Sequence, residues 1–183
     1  MKISRRKVDI LFIFFAIIII ESISFTTYKT AVLGAKERKD LVEKVTIKEN
    51  YTEFSDDELI VLVLVNNYRA EHGLSKLKTS AELQKVAELK AKDLVENNYF
   101  SHESPTLGTP FEMLNNNDIY YSVAGENLAG NINSKKAVQA WINSPAHKDN
   151  ILEEDFEYTG ICVVDSEVYG KVFVQLFIGI NEE

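Results

Sequence analysis

Three side chains that could take part in acid–base or metal chemistry lie in two short segments of the chain. Residues 99–105 read YFSHESP and place His102 in a turn that ends at a proline. Residues 125–152 contain Glu126, between a glycine and an asparagine, and His147, two residues after a proline. Neutral imidazole nitrogen and carboxylate oxygen are both suitable zinc ligands, and an open position would take water. If they converge, these side chains could form a cleft that binds a metal ion or a small ligand.

The spacing of these residues leaves three interpretations open. His102 and His147 are far apart in the sequence and lack the local spacing that makes a motif such as HExxH informative. Glu126, next to Asn127 at the edge of a predicted strand, could instead accept hydrogen bonds that hold neighbouring loops together. A histidine beside a carboxylate is also a common structural pair, and its perturbed pKa need not mean catalysis. The pattern is therefore compatible with a metal site, a small-ligand cleft or a structural hydrogen-bond network.

Signals for catalysis are weak by comparison. The sequence contains no GxSxG nucleophile elbow and no zinc-protease signature. Its single cysteine, Cys162, cannot form an internal disulfide and lies in the apolar run ICVV, which is typical of a small buried hydrophobe. If the domain is an enzyme, we expect a metal-dependent, peptidase-like hydrolase in which Glu126 acts as the base toward zinc-bound water.

The composition of the chain favours one acidic domain. With 183 residues and 45% hydrophobic content, the chain can form a single domain with a core and a tail, and it is too short for two full domains. The formal net charge is -8, and basic residues concentrate near the N-terminus, so the folded part is more acidic still. Because phosphate-backbone binding requires a cationic surface, nucleic acid is a poor candidate partner. We expect a monomer.

The N-terminus has the charge order of an export signal. Basic residues among the first seven precede the apolar run ILFIFFAIIII at residues 10–20. This run is shorter than the roughly 20 residues that span a bilayer, but an extension through Phe25 would span, and small residues after the run offer cleavage sites. A single N-terminal membrane helix and secretion after signal cleavage both stay open. Either outcome places the rest of the chain outside the cytoplasm.

Local signals predict helices first and strands late in the chain. Helix starts are predicted at four caps: Ser55 with Glu58, Thr79 with Glu82, Thr109 before Pro110, and Ser134. The β-branched and aromatic runs at residues 158–164 and 171–180 predict an antiparallel hairpin. This order indicates an α+β domain rather than repeated βαβ units. We assign residues 1–28 to the signal, 29–54 to a charged stalk and 55–183 to this domain.

Several conspicuous residues have a structural interpretation. Asn66 and Arg69 are expected to fix the first helix to neighbouring loops, and Trp141 is expected to lie in the core. His72, just before a glycine that ends the helix, is expected to favour the negative end of the helix dipole. None of these residues is needed for the predicted cleft.

Short motifs follow one another in a fixed order through residues 56–180. In chain order they are Asn66-x-x-Arg69 with Gly73-Leu74 and Leu77; Tyr99-Phe-Ser-His102 with Ser104-Pro105; Gly125-Glu-Asn-Leu-Ala129; Trp141 with Asn143-Ser-Pro145, His147 and Asn150-Ile-Leu152; and closing strands with Gly160 and Gly179. Together they resemble the CAP domain family, the cysteine-rich secretory, antigen 5 and pathogenesis-related (SCP-like) group, in its compact bacterial form without disulfides.

This resemblance implies both a fold and a site. The fold would be a three-layer α-β-α sandwich with a central antiparallel sheet. The family's cleft holds two histidines, matched by His102 and His147, and two acidic residues, one of which Glu126 matches. The second acidic position is Ser144 here, and Glu112, at the start of a short helix, could supply a carboxylate from another direction. The expected cleft residues are His102, Glu126, His147, Glu112 and Asn127, and the expected zinc ligands are His102, His147 and Glu126.

The resemblance favours a binding role over an enzymatic one. Similar proteins have been linked to lipid or sterol binding, to recognition of partners at cell surfaces and to proteolysis, and the fold is a scaffold on which loops set the function. We expect an exported, membrane-tethered binding module whose cleft takes a zinc ion or a small ligand, with a lipid, a wall component or a surface protein as partner. The alternatives are the hydrolase and a structural network whose partner surface lies elsewhere.

Overall fold

The computed structural model describes residues 54–180, which contain five helices and four strands. The predicted signal at residues 1–28 and the predicted stalk up to residue 53 lie outside the described residues. Contacts place every described residue in one unit, Val45–Glu183. None of the helices between residues 54 and 180 is both long and apolar enough to cross a membrane.

Helices dominate the first half of the described region and strands the end, as the sequence predicts. The helices are α1 (Asp56–Glu71), α2 (Ala81–Glu96), α3 (Pro110–Asn116), α4 (Ser134–Asn143) and α5 (Pro145–Leu152). The strands are β1 (Lys78–Thr79), β2 (Val123–Asn131), β3 (Tyr158–Ser166) and β4 (Gly170–Gly179). The predicted hairpin is therefore confirmed as β3 and β4.

The four strands form one sheet in the order β1-β3-β4-β2. The three long strands are antiparallel, with β4 between β3 and β2, and only the two-residue β1 pairs in parallel, with the start of β3. Because β2 is the last strand in this order, one of its edges faces away from the sheet. The segment that contains Glu126 lies on that outer strand.

Alternate residues of β4 build two separate cores on the two faces of the sheet. Phe173 and Phe177 pack with apolar residues of α1, α4 and α5. Val174 and Leu176, which point to the other face, pack with apolar residues of α2 and α3. Helices thus cover both faces, and the predicted three-layer α-β-α sandwich is confirmed. Removing each large side chain of this kind from water contributes about 1.5–3 kcal/mol.

Side chains of α1 and α2 also close the edge of β3 that β1 leaves uncovered. The predicted capping box of α1 is confirmed, since Ser55 and Glu58 exchange hydrogen bonds of 2.8 and 3.3 Å between side chain and backbone. The same Glu58 carboxylate accepts the N–H of Val163 at 3.1 Å. The Gln84 amide pairs with both the N–H and the C=O of Ile161. These contacts satisfy backbone groups that would otherwise be free to pair with another chain.

Two of the predicted helix caps are displaced by one residue. The N-cap of α2 is Ser80, whose hydroxyl accepts the N–H of Leu83, and not Thr79. Thr79 lies in β1, where pairing with β3 extends its backbone. The N-cap of α4 is Asn133 and not Ser134, because the Ser134 hydroxyl donates to Asp57 at 2.5 Å. In both cases neighbouring residues could cap the helix, and tertiary contacts decide which one does.

Asn66 and Arg69 fix α1 to its surroundings as predicted. The Asn66 amide exchanges two hydrogen bonds with the backbone of Leu77, at 2.8 and 3.1 Å. The buried Arg69 guanidinium donates to carbonyls of the segment that follows α1 and of the segment from the end of α5 onward. These carbonyls belong to Ser75, Ile151, Glu153 and Phe156. The end of α5, the helix that carries His147, is therefore held against α1.

Candidate functional site

The candidate site lies at the outer edge of the sheet, where the two helical layers meet. Glu126 lies in β2, and its side chain is only 2% exposed. The loop that follows α2 brings His102 to this edge from one layer, and α5 brings His147 from the other. The loop thus brings His102 into contact with Glu126, and α5 is held at the same edge of β2 through Asn127 and Asn150. The sequence predicted these three residues, but the order of the layers determines how they approach one another.

His102 and Glu126 form the central contact of the cleft. The Nδ1 atom of His102 lies 2.6 Å from the Oε1 atom of Glu126, and the His102 side chain is 56% exposed. Because an ionised carboxylate can only accept, Nδ1 carries the proton in this pair and Nε2 is left for another partner. The second oxygen, Oε2, is buried and makes no hydrogen bond with any residue from 54 to 180. A buried acceptor without a partner costs about 1–3 kcal/mol, so a donor placed here by a ligand would be stabilising.

His147 is half-buried on α5 and is held by neighbouring polar groups. Its Nδ1 atom lies 2.9 Å from the hydroxyl oxygen of Ser144. The buried Asn127 amide donates to the His147 carbonyl at 3.0 Å. Burial, together with the nearby His102, lowers the pKa of His147 below its ordinary value. The lowered pKa keeps His147 neutral at physiological pH, which is the form that can bind a metal or accept a proton.

Asn150 is a site residue to which sequence reasoning assigned no role. Its amide donates to the carbonyl of Glu126 at 3.1 Å and to the side-chain oxygen of Asn127 at 2.9 Å, and so fastens α5 to the edge of β2. The approach is close, since a Cβ atom at Gly125 would lie 2.9 Å from Phe156 and 3.1 Å from Asn150. The glycine of the Gly-Glu-Asn motif is thus explained by the packing of α5.

A buried lysine beneath the His102 loop is the second functional residue that the sequence reasoning missed. Lys90, on α2, is fully buried, and its ammonium donates to the hydroxyl of Tyr99 and to the carbonyls of Ser101 and His102, all within 3.0 Å. Burial lowers the pKa of Lys90, and the charges of Glu126 and another carboxylate act in the opposite direction. In the sequence, Lys90 stands among the residues of the apolar stripe of α2, and a lysine at such a position indicates a buried charge.

The carboxylate of Asp93 organises the same loop. It accepts hydrogen bonds from four neighbouring side chains, those of Asn97, Tyr99, Ser104 and Thr106. Burial and the bond to Asp93 raise the pKa of Tyr99, so this hydroxyl stays protonated. Lys90 and Asp93 together satisfy the polar groups of a loop that has no regular secondary structure. The position of His102 therefore depends on two charged groups of α2.

Glu112 occupies a different position from the one suggested for it. Its carboxylate accepts hydrogen bonds from the backbone N–H and the hydroxyl of Thr109, which completes the capping box of α3. None of the hydrogen bonds or ion pairs between described residues joins Glu112 to His102, Glu126 or His147. Within residues 54–180 no three His, Cys, Asp or Glu side chains are grouped so that they could hold one metal ion. The expectation of zinc therefore rests on the suitability of imidazole nitrogen and carboxylate oxygen as zinc ligands.

Two residues that were interpreted as structural lie in the cores. Trp141 is 1% exposed, and its indole N–H donates to the carbonyl of Leu128 at 2.9 Å, which covers another outward-facing group of β2. Cys162 is buried, and burial together with nearby carboxylates raises the pKa of its thiol to about 12. A thiol with such a pKa is not a nucleophile at neutral pH. Both interpretations are confirmed.

Comparison with known proteins identifies the family. The sequence model of CAP, described as the cysteine-rich secretory protein family, matches residues 62–177. The chain belongs to the CAP family. The matched CAP region contains β1 to β3, nearly all of β4 and every residue of the candidate cleft.

Curated CAP-like relatives come from two bacterial genera. YkwD of Bacillus subtilis is 41% identical over 120 residues, which are 65% of this chain and 46% of that protein. YlbC of Bacillus subtilis, described as a membrane protein, is 35% identical over 116 residues, which are 63% of this chain and 33% of that protein. A protein of Borreliella burgdorferi is 30% identical over 124 residues, 67% of this chain and 78% of that protein. The CAP chain thus spans less than half the length of both Bacillus relatives.

Two solved structures have the same fold as this CAP domain. An extracellular protein of Bacillus anthracis that contains an SCP domain matches with a TM-score of 0.63 and 36% identity, over 67% of this chain and 40% of that one. An outer surface protein of Borrelia burgdorferi matches with a TM-score of 0.64 and 28% identity, over 69% of this chain and 95% of that one. The α+β fold of the CAP family is therefore established for this chain.

Proposed function

We propose that this CAP domain is an extracytoplasmic binding module whose cleft, formed by His102, Glu126 and His147, takes a metal ion or a small ligand. The location is supported by the printed descriptions of its relatives, which include an extracellular, an outer surface and a membrane protein. It is also supported by the basic and then apolar N-terminal sequence. The partner at the cell surface would be a lipid, a wall component or another protein.

The observation that carries the proposal is the unpartnered oxygen of Glu126. Its Oε2 atom is buried and makes no hydrogen bond within the described part of the chain, while Oε1 holds the imidazole of the exposed His102. A purely structural network would be expected to satisfy both carboxylate oxygens, because each buried unsatisfied polar group is destabilising. A ligand that donates a hydrogen bond to Oε2 and accepts one from, or coordinates to, His102 would complete the network.

The residues also fit zinc in their chemistry. Glu126 holds the Nδ1–H of His102 and leaves Nε2 for an ion, which is how carboxylates commonly orient metal-binding histidines. In this arrangement Glu126 contributes through His102, whereas direct ligation by Glu126 would require the pair to separate. The lowered pKa of His147 favours the neutral, ligating form. Zinc, when bound, would supply a Lewis acid to whatever the cleft accommodates.

A metal-dependent hydrolase is the second candidate, and the same pair favours it. An exposed imidazole whose Nδ1–H is held by a buried carboxylate is suited to present Nε2 to a zinc ion. Glu126 would then act as the base toward zinc-bound water. This candidate requires metal-dependent turnover that disappears in Glu126→Gln while the fold is retained.

The proposal is tested by zinc titration of the metal-stripped unit Val45–Glu183 in a calorimeter. The wild type should bind zinc with micromolar affinity, and the double variant His102→Ala/His147→Ala should not bind. His72→Ala is the matched control, because this third histidine contacts the Tyr68 carbonyl on the surface of α1, away from the cleft. Equal zinc affinity in the wild type and the double variant would exclude these histidines as ligands, and absence of binding in both would direct the search to uncharged small ligands.

A further inference from the structure

A second concave surface lies where the C-terminal end of α2 meets the turn between β3 and β4. This groove has a volume of about 680 Å³. Its floor is formed by the buried side chains of Leu94 and Val172, and Tyr99 lines it from one side. Val168 and Tyr169, in the turn, line it from the other side. No residue of the His102–Glu126–His147 cleft lines this groove, so it is a separate surface.

Exposed apolar side chains concentrate beside this groove. Of the eight large hydrophobic residues that are exposed between residues 54 and 180, five lie in it or next to it: Val95, Phe100, Ile132, Val168 and Tyr169. The rings of Phe100 and Tyr169 are in contact, with centroids 5.0 Å apart. Val168 is the most exposed of the valines between residues 54 and 180, at 66%. Such a concentration of apolar surface on an acidic, otherwise polar domain is typical of an interaction site.

The charge around the groove is negative. Glu167, on its rim, makes no ion pair with any residue in the described part of the chain. Asp165, also on the rim, lies 2.6 Å from the Lys171 ammonium, which also lies 3.4 Å from Asp57. The last turn of α2 contains no basic residue, so the partial negative charge at this helix end is not compensated. A cation is therefore the complementary ligand group.

We propose that this groove binds a peptide segment of a partner protein in which lysine or arginine alternates with apolar side chains. The apolar side chains pack against the exposed Val168 and the Tyr169 ring, above the buried Leu94 and Val172. The lysine or arginine cation of the peptide lies at the rim, near Glu167 and the C-terminal end of α2. The rings of Tyr99 and Tyr169 add a cation–π attraction there. An anionic lipid surface has the same sign of charge as this rim and is disfavoured. The inference stands independently of the metal or ligand chemistry of the cleft.

The test uses fluorescence anisotropy with a short labelled peptide of alternating lysine and leucine. Two matched peptides replace every lysine with glutamate or every leucine with serine. The protein is the unit Val45–Glu183 as wild type, Tyr169→Ser, Glu167→Gln and, as a control on the surface of α1, Glu71→Gln. Because Tyr169 also contacts Phe100, the variant Val168→Ser provides a second apolar deletion that leaves this ring pair intact.

The lysine–leucine peptide should bind the wild type, and each matched peptide should bind at least about tenfold more weakly. Tyr169→Ser and Val168→Ser should weaken binding by about tenfold and Glu167→Gln by about threefold, with the Glu167 effect lost at high salt. Glu71→Gln should bind like the wild type. Absence of binding, equal binding of the serine peptide, or unchanged affinity in both apolar variants would overturn the proposal. Binding of anionic vesicles in preference to the peptide would overturn the choice of partner.

Discussion

Buried charge beneath the His102 loop explains how an exposed histidine keeps a fixed position. Lys90 satisfies two carbonyls of that loop, and Asp93 satisfies four side-chain donors around it. Both charged groups come from one face of α2, which otherwise packs apolar residues against the sheet. Their burial would be costly if they were unpaired, so the loop and the two charges stabilise one another. The free energy of unfolding should therefore respond strongly to changes at either residue.

Replacing Lys90 with methionine should lower the free energy of unfolding by about 3 kcal/mol, because the loop carbonyls and the nearby carboxylates lose their buried cation. Urea denaturation measures this change. Lys92→Met is the matched control, since Lys92 is exposed on the same helix and its ion pair among the described residues is with Glu88, at 3.9 Å. The control should change the free energy by less than about 0.5 kcal/mol. Equal effects of the two substitutions would show that Lys90 does not support the loop.

Asp93 should make stability depend on pH in the acid range. Burial acts to raise the pKa of this carboxyl, but the hydrogen bonds that it accepts outweigh burial and lower the pKa below its ordinary 3.8. A carboxyl whose pKa falls on folding stabilises the native state above the ordinary pKa, and this contribution is lost as the pH falls through the lowered value. The difference in unfolding free energy between the wild type and Asp93→Asn should thus be largest near neutral pH and shrink below pH 3.8. A difference that is constant with pH would contradict this assignment.

At the scale of single elements, the N-termini of the helices show which capping predictions from local sequence hold in the folded protein. The capping box of α1 and the Thr109 N-cap of α3 are formed as the sequence predicts, because each motif lies within four residues. The caps of α2 and α4 shift by one residue where a strand pairing or a contact to another helix uses the predicted residue. These capping rules also account for Glu112, because its carboxylate accepts the Thr109 N–H in the cap of α3.

Glu112→Ala should lower the free energy of unfolding slightly and leave zinc affinity unchanged. The reason is that the substitution removes the partner of the Thr109 N–H and hydroxyl without altering the cleft. Thermal denaturation and the zinc titration measure the two quantities on the same sample. Glu103→Ala, at an exposed position of the His102 loop, serves as the control for charge alone. A loss of zinc affinity in Glu112→Ala would indicate that this carboxylate takes part in the cleft.

At the scale of the whole molecule, the layers are packed closely enough to require glycine. A Cβ atom at Gly160, in β3, would lie 2.4 Å from the backbone of Leu83 in α2. Real contacts are not that short, so α2 and β3 would have to separate. This strand–helix contact joins one helical layer to the sheet that positions both sides of the cleft. The closing-strand glycine of the CAP motifs thus has a packing role.

Gly160→Ala should destabilise the protein by about 3 kcal/mol, at the upper end of the range for overpacked cores. The cost arises because backbone atoms of α2, unlike a flexible side-chain end, cannot move aside locally. Chemical denaturation followed by circular dichroism measures it. Glu157→Ala, at the exposed position just before β3, should have little effect. A fully stable Gly160→Ala variant would show that the layers can separate at low cost.

The amino-acid sequence by itself determined the helix-first order, the β3–β4 hairpin, the capping box of α1 and the CAP motifs, because these depend on residues close together in the chain. It also singled out His102, Glu126 and His147. Only the tertiary structure decided that His102 reaches Glu126, that Asn150 fastens α5 to β2, and that Lys90 lies under the loop. Those contacts join elements distant in the chain, and their geometry follows from how the layers pack around the sheet, which no local pattern encodes.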